Sequence, residues 1–206
     1  LPDEGKCLDG ISVSRVVAMK ASPVADQVLI SNERNELLLV DLATKKSRVL
    51  DRSAYSPILG FDFSRDGKWA AYSVSPTLHT AVIKLCRLDD GATFQVTKPV
   101  LLDINPAFDP EGKYLYFLSK REFDPIYDGL HFDLGFSKGM RPYLVTLRKD
   151  VPAPFALVPK APEEKKDGEG SAKPSGEESG KQEDKVTPLV IDVEGIEDRI
   201  QAFPVP

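Results

Sequence analysis

Phe61-Asp62-Phe63-Ser64-Arg65-Asp66-Gly67-Lys68-Trp69-Ala70-Ala71-Tyr72-Ser73 is followed by a second version of itself, Ala107-Phe108-Asp109-Pro110-Glu111-Gly112-Lys113-Tyr114-Leu115-Tyr116-Phe117-Leu118-Ser119. Phe63 aligns with Phe108, Gly67 with Gly112 and Trp69 with Tyr114, an offset of about 45 residues, which is the period of a propeller blade or another stacked repeat. Each copy reads as two short strands joined by a tight turn. Asp66-Gly67 and Glu111-Gly112 supply that turn, because Gly adopts positive φ without a steric penalty.

The rest of the unit follows on either side. After Tyr72-Ser73-Val74 come Ala81–Leu88, a turn at Asp89-Asp90-Gly91, and Thr93–Thr97, all rich in β-branched and aromatic residues. A fainter copy lies upstream, with strands at Ala18–Ala21, Val28–Ser31, Leu37–Leu42 and Ser47–Leu50. Breakers recur too often for a run of helices. The downstream copy opens at Asp103–Phe108 and Tyr114–Ser119 and resumes at Pro142–Arg148 after an insertion. Thr187–Val193 is expected to complete that blade as its fourth strand. From about residue 160 to 186 the chain is charged and lacks aromatic residues and apolar periodicity, and reads as a disordered insertion.

These readings give an all-β chain, a β-propeller segment of about three four-stranded antiparallel blades in an incomplete ring. The expected divisions are residues 1–15 as the end of a preceding blade, 16–56 and 57–101 as blades, 102–195 as a blade with insertions at 120–140 and 150–186, and 196–206 as the start of the next. Propellers close with roughly four to eight blades. Both chain ends therefore read as cuts within a larger protein.

Composition narrows the function classes. The 206 residues carry a formal net charge of -5, which gives no bulk attraction for nucleic acid or an anionic membrane. No apolar run approaches the roughly 20 residues needed to cross a bilayer. Cys7 and Cys86 are too few for a disulfide framework; Cys86 reads as a small buried hydrophobe, and a Cys7–Cys86 bridge is disfavoured.

The departures from the repeat carry a resemblance. Phe123-Asp124-Pro125-Ile126-Tyr127-Asp128, His131-Phe132-Asp133-Leu134-Gly135-Phe136 and Gly139-Met140-Arg141-Pro142-Tyr143-Leu144-Val145 together resemble the tricorn protease family. So do Asp192-Val193-Glu194-Gly195-Ile196-Glu197-Asp198-Arg199 and Phe203-Pro204-Val205-Pro206. The similarity spans nearly all of the chain except the charged insertion, and identifies it as part of a second, seven-bladed propeller. The resemblance implies a large oligomeric serine peptidase that degrades oligopeptides, cytoplasmic or, where an export signal precedes this segment, periplasmic, with a PDZ-like module and a catalytic core elsewhere in the parent chain. The segment's expected role is non-catalytic: to shape or gate peptide access to that core. Its expected partners are the remaining blades, the core, peptides in transit and further copies of the parent, with no nucleic acid, membrane or cofactor. The alternative is a protein-binding propeller of the translocation-protein type without peptidase activity.

Few residues suggest chemistry of their own. Asp124, Asp128, His131 and Asp133 have metal-ligand side chains, although aspartates in such a loop more commonly form turns. His79 and His131 are the only histidines, and no Gly-x-Ser-x-Gly elbow accompanies them; Ser53, Ser56, Ser64, Ser73 and Ser75 fall at strand ends and turns. Arg121, Lys138 and Arg141 could attract a peptide carboxylate or pair with the neighbouring aspartates. Trp69 and Tyr114 share one repeat position, which favours packing over a ligand platform. No residue is assigned a catalytic, cofactor-binding or metal-binding role.

Overall fold

Alternating side chains and tight turns produce strands, and twelve of the strands pair into three four-stranded antiparallel sheets. The computed structural model describes residues 9–122, 124–136, 139–155 and 188–204. The first blade contains β1 (Val16–Ala21), β2 (Gln27–Asn32), β3 (Glu36–Asp41) and β4 (Lys46–Arg52). The second contains β5 (Phe61–Phe63), β6 (Trp69–Val74), β7 (Val82–Arg87) and β8 (Thr93–Gln95). In both, spatial order follows chain order. The third blade contains β9 (Asp103–Phe108), β10 (Tyr114–Ser119), β13 (Arg141–Thr146) and β14 (Ile200–Ala202). A separate two-stranded hairpin, β11 (Ile126–Asp128) and β12 (Asp133–Gly135), is inserted between β10 and β13.

One sequence expectation is corrected. The strand paired with β13 is β14, with Val145 opposite Ile200 and Tyr143 opposite Ala202, rather than Thr187–Val193. Residues 188–195 form no strand. They run as a strap across the second and third blades, where the Leu189 amide donates to Asp66 Oδ2 at 2.7 Å and the Asp192 amide to the Leu147 carbonyl at 2.9 Å. Leu189, Ile191 and Val193 pack against the core between those blades. A single turn of 3-10 helix at Ile196–Arg199 then leads into β14. The expected disorder of 160–186 and any bridge from Cys7 lie outside the described residues.

The middle blade shows why the blades stack. On β6 and β7, Ala70, Tyr72, Val82 and Cys86 point into the cluster shared with the first blade. Trp69, Ala71, Ile83 and Leu85 point into the cluster shared with the third. Side chains alternate across a strand, so each central strand contributes to two cores. The same alternation leaves one face of β10 half covered: Leu115 and Phe117 are buried, while Tyr114 and Tyr116 are intermediate. Trp69, at the position of Tyr114, is 7% exposed.

Polar links join the blades where the cores end. Asp51, near the end of β4, accepts from Tyr72 Oη and Lys84 Nζ of the next blade, both at 2.9 Å. Arg48 donates to the Leu88 carbonyl. Gly67 (φ 68°) and Gly112 (φ 72°) make the two turns recognised in the repeat. A Cβ on Gly60 would lie 2.8 Å from the backbone of Asn105, so the second blade can approach the third this closely only with Gly there.

Candidate interaction surface

The first strands of the three blades stand next to one another, β1 against β5 and β5 against β9. One side chain ties them together. Asp62 on β5 receives Lys20 Nζ of β1 at 2.5 Å through Oδ1, and the Phe108 amide of β9 at 2.9 Å through Oδ2. Asp62 is nearly buried. Its counterpart in the second copy of the repeat is Ala107, so a carboxylate at a position the repeat does not keep was the available signal, and sequence reasoning missed it.

Register fixes the two ends of the segment. At one end lie the connections 53–60, 75–81 and 97–102, bound to one another: the Ser75 amide donates to Ser53 Oγ at 3.0 Å, the Ala81 amide to the Leu101 carbonyl at 2.8 Å, and the Lys120 amide to the Leu102 carbonyl at 3.0 Å. The hairpin β11–β12 leaves from this end. At the other end lie the tight turns at Gly67, Gly91 and Gly112 and the strap.

The hairpin stands on an ionic base. Asp103 is buried and accepts from Ser119 Oγ at 2.5 Å and Arg121 Nη2 at 2.6 Å. The Arg121 guanidinium lies over the rings of Phe117 and Tyr143, at 5.5 and 5.1 Å. Arg141 bridges Glu122 and Asp124, each at 2.7 Å. Tyr143 Oη donates to Glu122 at 2.6 Å, and burial, reinforced by that carboxylate, raises the phenol above its ordinary pKa.

The residue types that suggested a metal do not converge. Asp124 is taken by Arg141. Asp128 accepts from the Leu130 amide at 2.8 Å and pairs with His131 Nδ1 at 2.8 Å, and the His131 hydrogen bond lowers its pKa. Asp133 accepts from the Leu134 amide at 2.7 Å. Among the described residues no group of three or more His, Cys, Asp or Glu stands close enough to hold an ion. Lys138 lies outside the described residues.

The serines serve structure. Ser64 is buried, donates to Asp66 at 2.6 Å and accepts from the Trp69 amide at 2.9 Å. Ser56 and Ser75 share a hydrogen bond of 2.7 Å. His79 is exposed, and its amide donates to Thr77 Oγ1 at 3.3 Å.

The hairpin itself is apolar at its surface. Tyr127 is 63% exposed, Leu130 81% and Phe132 79%. Phe132 takes a left-handed backbone (φ 55°), uncommon for a bulky residue, and is held out in solvent. By contrast, the cleft of about 310 Å³ at the turn end has its cations occupied. Of these, Arg65 Nη1 donates to the Pro110 carbonyl at 3.3 Å, and Arg148 pairs with Asp150.

Comparison with known proteins agrees with this architecture. The family model described as the tricorn protease second beta propeller domain matches residues 3–206. A tricorn protease homolog of Saccharolobus solfataricus is 34% identical over 192 residues, covering 93% of this chain and 16% of its own. Tricorn protease homolog 1 of Streptomyces coelicolor is 35% identical over 193 residues, covering 94% and 17%. The crystal structure of the tricorn protease superposes with a TM-score of 0.71 at 25% identity, covering 92% of this chain and 17% of that one. The chain thus spans about a fifth or less of the relatives it matches. Repeat, blades and matches agree that this chain belongs to the tricorn protease second β-propeller family.

Proposed function

We propose that this segment is a non-catalytic part of a channel wall that shapes or gates the passage of oligopeptides to a serine-peptidase core elsewhere in its parent chain. The supporting observation is the alignment of β1, β5 and β9 along one side of the stack, fixed by the Lys20–Asp62–Phe108 link. A propeller places such first strands around its central channel. Ser64, Ser56 and Ser75 are engaged in turn and connection hydrogen bonds and His131 pairs with Asp128, which suits a wall rather than a reaction centre.

The test uses the parent protein with a single cysteine introduced at exposed Met19 on β1 or Asn105 on β9, modified by a bulky maleimide. Hydrolysis of long oligopeptides should fall several-fold more than hydrolysis of a dipeptide-sized substrate. Equal effects on both, or no effect on either, would remove the access role. The exposed hairpin also suits a protein-binding propeller, and a partner retained by a parent lacking peptidase activity would favour that second reading.

A further inference from the structure

The fourth strand of the third blade, β14, faces two ways. Ile200 and Ala202 pack against the core shared with the second blade. Side chains alternate along a strand, so Gln201 belongs to the opposite, outward face. Its cross-strand neighbour is Leu144, which in turn pairs with Tyr116. Phe203 stands between Tyr116 and Phe155, with ring centroids 6.0 and 5.0 Å away. A following blade would pack on this face, on the side away from the second blade.

The edge of the face carries polar groups without partners. Arg199 ends the 3-10 turn and directly precedes β14. Its Nη2 donates to the Asp192 carbonyl. Its Nε and Nη1, together with Gln201 Oε1, are closed to solvent and have no hydrogen-bond partner among the described residues. Burial pushes the guanidinium below its ordinary pKa, and Asp192 offsets only part of that. A buried charge without a partner is costly, and an apolar side chain of similar size in its place is often neutral or stabilising.

The two complete interfaces show what such groups do. The outer strand of the first blade, β4, sends Arg48 to the Leu88 carbonyl and Asp51 to Tyr72 and Lys84 of the second. Lys98, just beyond β8, approaches Glu197 and Asp198 of the turn before β14, at 3.8 and 3.6 Å. Charged side chains at the outer edge of each blade therefore meet polar groups of the one that follows. In the third blade β14 holds that outer position.

We infer that the next blade of the propeller, formed by the chain beyond residue 206, places an acidic side chain against Arg199 and a hydrogen-bond donor against Gln201 Oε1. The charge and spare donors of the guanidinium select a carboxylate. β14 and β9 are the opposite edges of their sheet, so this contact lies away from the first strands and is separate from peptide access. The acid-rich stretch from Glu163 to Asp184 is a competing source of the carboxylate, and the experiment separates the two.

Amide hydrogen exchange of β13 and β14 is followed by mass spectrometry in the full-length parent. Arg199→Met should speed exchange there by about tenfold, because it leaves the acid buried and unpaired. Arg199→Lys, which keeps the charge, should retain most of the protection. Changing the acids in the roughly 45 residues after 206 one at a time, Asp→Asn or Glu→Gln, should find one that reproduces the loss and adds nothing to Arg199→Met. Deleting 163–185 should alter neither strand. Unchanged or slower exchange in Arg199→Met would mean the charge has no partner and would overturn the inference. So would equal losses in Arg199→Met and Arg199→Lys, a loss reproduced by the deletion, or the lack of a coupled acid after 206. Hydrolysis is not read, so a failure here leaves the access reading standing, and a failure of the maleimide experiment leaves this contact standing.

Discussion

Asp51 has two partners on the neighbouring blade, and they are not equivalent. Tyr72 is fully buried, and burial followed by the nearby carboxylate pushes its phenol well above the ordinary range. It therefore acts only as a neutral donor. Tyr72→Phe keeps the ring and removes the hydrogen bond, leaving Asp51 with Lys84. The expected loss is about 1–2 kcal/mol of unfolding free energy, read from denaturant midpoints. Glu36 provides a pH-dependent counterpart. A hydrogen bond from Asn32 Nδ2 at 2.8 Å, then the Arg52 guanidinium, lowers its pKa below the ordinary 4.5. A lowered acid stabilises the fold above its ordinary pKa and loses that contribution as pH falls through the folded value. Stability should therefore decline below about pH 4.5 in the native protein, and Glu36→Gln should flatten that part of the profile. An unchanged slope would show that Glu36 does not drive it.

Among the elements, strands and turns were legible because their signals are local. The duplicated segment marked β6 and β10, and Asp66-Gly67 and Glu111-Gly112 marked the turns before them. The last strand of the third blade was not legible. Val190, Ile191 and Val193 have the composition of a strand, yet they lie in the strap, because Leu189, Ile191 and Val193 find apolar cover across the second and third blades instead of a partner strand. No local pattern separates an extended strap from a strand. The candidate metal ligands lie apart for a related reason: Asp124, Asp128 and Asp133 are close in sequence, but Arg141, His131 and the Leu134 amide each engage one of them. The strap makes its own prediction. Asp66 Oδ2 holds the Leu189 amide, so Asp66→Ala should raise hydrogen exchange across 188–195 while leaving β13 protected. Unchanged exchange there would show that apolar packing alone secures the strap.

At the scale of the whole molecule, each core is shared by two blades, and the middle blade belongs to both. The blades should therefore lose structure together. Leu29 is fully buried in the first shared core, and Leu29→Ala should lower stability by about 2–4 kcal/mol. Hydrogen exchange of β10, two blades away, should rise as well. Protection of β10 that stays unchanged would mean the blades unfold independently.

The neck of the long insertion has a consequence for the engineering of the chain. The Lys149 amide donates to Asp192 at 2.8 Å and the Asp192 amide to the Leu147 carbonyl at 2.9 Å, so two points far apart in sequence are fastened side by side. Lengthening a loop between fixed anchors adds free energy only logarithmically, roughly 0.6 kcal/mol per doubling. A reporter domain grafted between Phe155 and Pro188 should therefore leave the blade folded as long as the Lys149–Asp192 and Asp192–Leu147 links hold its two edges together.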